Sequence, residues 1–395
     1  MKKQLLAFFL TVIMICGICF PAAAIDFSDP AGFTEAVESA EQPKTNTEAK
    51  VLLTKMGELL KGILVRFLPT DTQGPLPNPL QAWIDMIPDD PPFEVKFTIA
   101  GDCMLATYKG EVQNGSFSSK ALEGNWEYFL DGVDEYFEAD DFTIVNLENV
   151  LTDSKVSPIQ KNHSPAYWFK APTENTKILT TQSVEVVNLA NNHTGDYGQT
   201  GRTDTIKAVE NAGLLWGNND KTLYVEKNGF RIAMIFHGLW SEGQVGAIVD
   251  RIKAAKENSD FQIVYYHGGK ERLHTPEEWK QRASRKLVDA GADLVIGNHP
   301  HVLQPMEIYK DVPIIYSMGN FCYGGSSHPE NRTILYQYTL TVDPASHAVL
   351  SAEGNMIPCY VYTGSVNNYQ PSVIMDEAEK QKVLDFMSWN RKNPM

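Results

Sequence analysis

The sequence predicts an α/β protein with a largely parallel sheet covered by helices. From Phe93 onward, apolar strand-like runs alternate with segments of helical periodicity. Five of those runs end in side chains able to bind a metal: Phe97-Thr-Ile-Ala-Gly-Asp102, Thr143-Ile-Val-Asn-Leu-Glu148, Val186-Val-Asn-Leu-Ala-Asn-Asn192-His193, Gln262-Ile-Val-Tyr-Tyr-His267 and Asp293-Leu-Val-Ile-Gly-Asn-His299-Pro-His301. Open α/β sheets bind ligands just beyond the carboxyl ends of their strands, so these residues mark an expected crevice. The 395 residues allow one large domain or two ordinary ones, with ample core.

Read in order, the chain opens with Lys2-Lys3, an apolar stretch from Leu5 to Phe20 and Pro21-Ala22-Ala23-Ala24. This pattern is expected of a secretory signal over residues 1–24, cleaved after Ala24 or kept as an N-terminal anchor. Such a protein is exported to the extracellular face of the membrane or the cell wall. Cys16 and Cys19 each follow an isoleucine, which argues against a lipoprotein attachment site. Residues 25–92 make an extension: an acidic tether to about Asn46, an amphipathic helix from Thr47 to Phe67, and a stiff connector from Pro69 to Pro92 with seven prolines. The main domain is expected over 93–360, followed by a helical tail over 361–395.

Within the domain, helical patterns fall at Trp126 to Phe137, Glu174 to Gln182, Gly201 to Ala212, Gly246 to Glu257 and Thr275 to Ala290. The last has Thr275 as N-cap, Pro276 in the first turn and Gly291 as terminator. Lys227-Asn-Gly229 reads as a hairpin turn between Leu223–Glu226 and Arg231–Phe236. Ile334 to Val342 and Ala348 to Pro358 form a β-rich closing segment. Cys103, Cys322 and Cys359, the cysteines past the signal, are too few and scattered for a disulfide framework and read as buried thiols. The formal charge of -15 becomes -17 once the two signal lysines are removed, which excludes non-specific nucleic-acid binding. No Gly-rich loop ending in Gly-Lys-Ser/Thr and no Gly-x-Ser-x-Gly elbow is present.

His299 precedes Pro300, which favours an extended backbone, and residues i and i+2 of an extended chain share a face, so His299 and His301 are expected to reach one place. Taken singly, a carboxylate at a strand end is more often a helix cap and an asparagine more often a turn residue. Clustered at successive strand ends, Asp, Glu, Asn and His are what a ligand crevice requires. Two carboxylates, one amide oxygen and three imidazoles form a mixed donor set suited to Mn, Fe or Zn rather than a closed thiolate site.

Gly101-Asp102-Cys-Met104-Leu, Asn146-Leu-Glu148, Asn191-Asn-His193-Thr-Gly-Asp196-Tyr-Gly198, His267-Gly-Gly-Lys-Glu271, Gly297-Asn-His-Pro-His301 and Tyr316-Ser-Met-Gly-Asn320-Phe321 resemble the successive motifs of the CapA/PgsA capsule-synthesis family. That family is implicated in making or exporting poly-γ-glutamate capsule and is similar in fold to the calcineurin-like metallophosphoesterases. The resemblance implies a metallophosphoesterase-like four-layer α/β/β/α sandwich and a divalent metal site of one or two ions. It puts Asp102 on a first metal, Glu148 between two, Asn192 and His267 on the second, His299 on the second and His301 on the first. It makes His193 the proton donor to a leaving group, oriented by Asp196. Glu271 and Asn320 are expected in an outer shell, and Arg332 as a partner of an anionic substrate.

The departures matter. Metallophosphoesterases have a His where this chain has Met104, a poor ligand for a hard ion, so one firm and one weak metal are expected. Gly268 stands where the family pattern has a bulky aromatic, which is expected to leave more space. Three functions follow from the resemblance and the residues. The chain is a component of assembly or export of an anionic envelope polymer, partnered by membrane-bound capsule-synthesis components; a metal-dependent hydrolase of phosphoesters or amide bonds; or a non-catalytic surface binding module. His193 beside Asn192 favours chemistry, and Met104 favours weakened or specialised chemistry.

Overall fold

The computed structural model describes residues 89–389, most of 45–57, and positions 81 and 85. The expected signal, most of the tether and most of the proline-rich connector lie outside the described residues. The described chain divides into two units. In the first, the described residues between Asn46 and Gly57 are helical, and Asp90 accepts the N–H groups of Asn46 and Thr47 at 2.8 and 2.7 Å, capping that helix with an anion. The second, Glu94–Val342 with the chain from Ala348 onward, holds everything below.

Its strands run β1 (Phe93–Met104), β2 (Thr107–Tyr108), β3 (Phe142–Leu147), β4 (Val150–Leu151), β5 (Phe169–Ala171), β6 (Val186–Asn188), β7 (Leu215–Gly217), β8 (Leu223–Lys227), β9 (Phe230–Gly238), β10 (Phe261–His267), β11 (Leu294–Asn298), β12 (Leu303–Tyr309), β13 (Val312–Met318), β14 (Asn320–Tyr323), β15 (Arg332–Val342), β16 (Val349–Tyr360) and β17 (Ser372–Val373). One sheet has the order β17-β16-β15-β1-β3-β6-β7, with β14 also on β1. The other has β12-β13-β11-β10-β9-β8, and β2, β5 and β4 make a small third sheet. The neighbours β1, β3, β6 and β7 are parallel, as are β9, β10, β11 and β13. Their carboxyl ends therefore fall on one edge of each sheet.

The helices are α1 (Phe117–Ala121), α2 (Asp134–Glu138), α3 (Lys177–Thr180), α4 (Gly198–Asn211), α5 (Val245–Lys256), α6 (Glu278–Ala290) and α7 (Glu377–Met387). Ala100, Val145, Val187 and Leu335 on one face of the first sheet pack with Phe117, Phe137, Ile178 and Val209 from its helices. Ala233, Val264, Val295 and Tyr316 on the second sheet pack with Ile248, Ile252 and Leu287 of α5 and α6. The opposite faces meet each other: the Tyr265 hydroxyl of β10 donates to the Ala100 carbonyl of β1 at 2.8 Å, and Phe261 stacks near Tyr338 at 6.3 Å. The result is the four-layer α/β/β/α sandwich.

Local signals set several elements where expected. Asn228 and Gly229 take φ of 51° and 82° in the β8–β9 turn, as a two-residue hairpin requires, and Gly291 ends α6 at φ 111°. Others differ. The pattern from Trp126 to Phe137 is broken into a 3₁₀ turn at Glu127–Phe129 and α2; between them Gly132 packs so close to the 371–372 segment that a Cβ would meet the Pro371 carbonyl at 2.5 Å. Helix α6 begins at Glu278 behind Glu277, not Thr275, and α4 begins at Gly198 rather than Gly201. Cys103, Cys322 and Cys359 are buried free thiols. Among the described residues no helix is long and apolar enough to cross a membrane.

Candidate metal centre

The register of the parallel strands brings the motif residues together. Asp102 pairs with Asn146 of β3 and Asn320 of β14, and His267 pairs with Asn298 of β11 and Gly238 of β9. Glu148 follows β3, Asn192 and His193 follow β6, and His299 and His301 follow β11. All six expected donors therefore gather at the carboxyl edges.

His267 Nε2 is the hub of one group. It lies 2.8 Å from Asn192 Oδ1, 3.1 Å from His299 Nδ1 and 3.4 Å from Glu148 Oε1. Adjacent donors on one first-row ion, each at roughly 2.0–2.2 Å from it, sit about 3 Å apart. Two sets of three residues have donor atoms within 4.8 Å of one another, Glu148 with His299 and His301 and Glu148 with Asp102 and His267, and His301 Nε2 is 3.7 Å from Glu148 Oε1.

Asp102 stands behind these rings. Its Oδ2 is 3.1 Å from His301 Nδ1, its Oδ1 is 3.4 Å from His267 Nδ1, and the Asn146 amide donates to Oδ1 at 2.7 Å. Asn320 Oδ1 also accepts from His301 Nδ1 at 3.0 Å, and its amide donates to the His301 carbonyl at 3.1 Å. His301 Nδ1 thus faces two acceptors, which turns its Nε2 towards Glu148, while His267 Nδ1 lies between Asp102 Oδ1 and the Asn146 amide nitrogen, 3.1 Å away.

The fit to a cation is electrostatic as well as geometric. Glu148 is fully buried, and neither of its carboxylate oxygens has a hydrogen-bond partner. Buried carboxylates left this way call for positive charge. Burial disfavours a charged His267, but Glu148 and Asp102 outweigh it and push it up to about 9. The same contest takes His301 up to about 10. Burial, then the two neighbouring imidazoles, drive His299 far down, so it offers a free lone pair. Burial opposes the Asp102 charge, yet His267 and His301 hold this carboxyl well below its usual range.

His193 stands at the rim. Its Nε2 is 4.0 Å from Glu148 Oε1, its Nδ1 is 2.7 Å from Asp196 Oδ2, and the Phe169 ring meets it edge-on at 4.8 Å. Beside it runs a cleft of about 440 Å³ lined by Tyr167, Glu271, Arg272, His301 and Tyr323, among others. A larger surface hollow of about 710 Å³ lies around Thr173 and Asp204. Its acids Asp153 and Asp204 accept hydrogen bonds from Thr173, Thr152 and Ser154.

Several expectations require correction. His299 and His301 converge through left-handed backbone, φ 98° and 58°, not through an extended strand: β11 stops at Asn298. Gly268 does not open space, because a Cβ there would lie 1.7 Å from the Leu239 carbonyl oxygen. The aromatic comes instead from after β9, where Trp240 meets His299 at 5.0 Å and His267 at 5.8 Å. Arg332 is held by Glu379 of α7, Nε to Oε1 at 2.7 Å, and does not line the cleft. Glu271 is exposed on the cleft wall and acts on His301 only through its charge. Met104 packs in the core on the helix side of the first sheet. Asn146 was assigned no role by sequence reasoning; its signal is its place two residues before Glu148, on the same face of a strand.

A model of the bacterial capsule synthesis protein family PGA_cap matches residues 96–324. The PGA biosynthesis protein CapA of Bacillus subtilis (strain 168) is 29% identical over 269 residues, covering 62% of this chain and 69% of that one. The capsule biosynthesis protein CapA of Bacillus anthracis is 30% identical over 332 residues, 76% of each chain. A solved chain described as a novel phosphatase from Mycoplasma pneumoniae has a TM-score of 0.40 at 14% identity, covering 68% of this chain and 94% of that one. The family match spans every donor from Asp102 to His301, together with Asn320, and on it the chain belongs to the bacterial capsule synthesis family PGA_cap.

Proposed function

We propose that this protein is an exported component of anionic envelope polymer synthesis, of the poly-γ-glutamate type, that binds one divalent cation and uses it to cleave or transfer a linkage of that polymer. The observation that carries the chemistry is Glu148: a fully buried carboxylate with both oxygens unpartnered, ringed by His267, His299 and His301. Glu148, Asn192, His267, His299 and His301 would hold the ion, with Asp102 orienting His267 and His301 from behind. When bound, a divalent ion supplies Lewis acidity and an acidified water. His193 keeps one ring proton on Nδ1, held by Asp196, and turns Nε2 to the centre; the proton it would hand to the leaving group is a second one, carried on Nε2 in the imidazolium form. The cleft of about 440 Å³ beside it is where the polymer would lie. Export is supported by the signal-like pattern of residues 1–24.

A metal-dependent phosphoester hydrolase is the second reading, favoured by the oxygen- and nitrogen-rich donor set. Elemental analysis of purified protein, combined with a screen of phosphodiesters, phosphomonoesters and poly-γ-glutamate, separates the readings. One metal per chain with polymer turnover supports the proposal. Turnover of phosphoesters alone selects the second reading, and absence of metal refutes both. Fractionation with N-terminal sequencing of the mature protein tests export.

A further inference from the structure

The segment 154–172 carries Lys155, Lys161, His163 and Lys170 and no acid, in a chain of net charge -15. One of these cations is not at the surface. Lys161 reaches inward, its side chain 11% exposed, and its Nζ meets Asp196 Oδ1 at 2.6 Å. Asp196 is fully buried and serves as a junction: Oδ2 accepts from His193 Nδ1 at 2.7 Å and from the Phe169 N–H at 2.8 Å, and its carbonyl accepts the Ile159 N–H at 2.9 Å. The Lys161 ammonium also donates to the Tyr167 carbonyl at 2.6 Å, and the Trp168 indole to the Ile159 carbonyl at 2.8 Å.

We propose that Lys161 is a positioning residue of this site, acting through Asp196 to fix the orientation and tautomer of His193 and making the 154–169 segment part of the reaction centre. The physical reason is charge. A buried carboxylate that served only one imidazole N–H and one backbone N–H would be undercompensated, and Lys161 supplies a full cation on its other oxygen. With Oδ1 fixed, Oδ2 stays aimed at His193 Nδ1, so Nε2 stays aimed at the centre. The same ammonium fastens the Tyr167 carbonyl and Asp196 fastens the Phe169 N–H, and both aromatic residues flank His193 on the cleft side. An exposed lysine pair would do little of this. The inference rests on the reading of His193 as proton donor.

The test uses the full chain with ring-¹⁵N histidine, metal-free or zinc-loaded. The His193 signals are identified by their loss in His193→Gln. In the native protein and in Lys161→Arg, His193 is expected as the Nδ1-protonated tautomer with a slowly exchanging ring proton. In Lys161→Met the tautomers mix or that proton exchanges away. Lys161→Gln, which keeps a donor but no charge, is the second variant should Lys161→Met not fold, with the same loss expected. Native-like His193 signals without the lysine overturn the proposal. On aryl methyl phosphodiesters, kcat in Lys161→Met should fall about 10- to 100-fold with KM within about two-fold, most for poorly leaving phenols, and recover in Lys161→Arg. If the metal reading fails, His299→Ala keeps its metal while the ring spectra still decide Lys161. If Lys161 alone fails, metal loss in His299→Ala persists.

Discussion

Replacing His299 separates two effects that the structure joins at one residue. His299 sits at φ 98°, a backbone region that glycine occupies freely and side-chain-bearing residues do not, and holding it there costs about 1–3 kcal/mol. Elsewhere Gly in place of Ala costs about 0.5–1 kcal/mol. Here the order inverts, so metal-free His299→Gly should exceed metal-free His299→Ala by about 1 kcal/mol or more. Over a unit of about 300 residues the unfolding entropy is about 0.6 kcal/mol/K, which makes this gap about 2–4 °C in Tm. The second effect is ligation. A cation at 100-fold its Kd adds about 2.7 kcal/mol to the native protein, or roughly 4 °C. Both variants should lose that increment. Thermal unfolding by calorimetry, with chelator and with Mn or Zn, reads all six states. Equal stability of the two metal-free variants refutes the strain argument, and a surviving metal increment refutes the ligand assignment.

His193→Gln should keep the metal-dependent rise in Tm while losing about 10²- to 10⁴-fold in kcat on the substrate identified by the screen; undiminished turnover would remove it from the mechanism. Lys280 is fully buried, hydrogen-bonded to Gln304 at 2.9 Å, and pushed down to about 7 by burial, against the pull of Glu277. Its folded value lies below the unfolded one, so the penalty is complete below pH 7 and is relieved as pH rises towards 10.5. Lys280→Met should therefore gain about 1–3 kcal/mol at pH 6 in urea denaturation, after losing the Gln304 bond, with the gain gone by pH 10. A pH-independent gain would contradict this. Gly268→Ala, driven into the Leu239 carbonyl at 1.7 Å, should cost about 3 kcal/mol or more and weaken metal binding. Gly246→Ala, in α5 with no atom within 4 Å, should be neutral or stabilising by roughly 0.5–1 kcal/mol. Equal effects at the two glycines would show that the close approach is not what fixes Gly268.

The parts of the fold that could be read from the sequence are those decided by neighbours in the chain. Asn228-Gly229 and Gly291 need only their own φ, and the five strand ends need only a period and a terminal polar residue. What could not be read depends on segments that meet from afar. The close packing at Gly132 involves Pro371, the aromatic beside His267 is Trp240 from the turn after β9, and the cation on Asp196 is Lys161 from a loop. Arg332, read as a substrate partner, was claimed by Glu379 of a helix whose docking no local pattern encodes. His299 is the instructive case. Pro300 argues locally for extended backbone, but the two imidazoles must turn onto one point, and the fold imposes a left-handed backbone there against that preference.

Met104 explains why Asp102 differs in role from a simple ligand. A donor at that position would share a first ion with Asp102, but the thioether packs in the helix-side core and adds nothing to the crevice. Asp102 is left facing two imidazole Nδ1 atoms, 3.1 Å from one and 3.4 Å from the other, with Asn146 fixing its remaining geometry. A carboxylate placed this way raises the basicity of both rings and fixes which nitrogen each presents. The same loss that weakens a first metal therefore strengthens the ligands of the second. Under the proposed reading, a single ion bound by Glu148, Asn192 and three histidines, with His193 alongside, would give the buried carboxylate of Glu148 the positive charge it lacks.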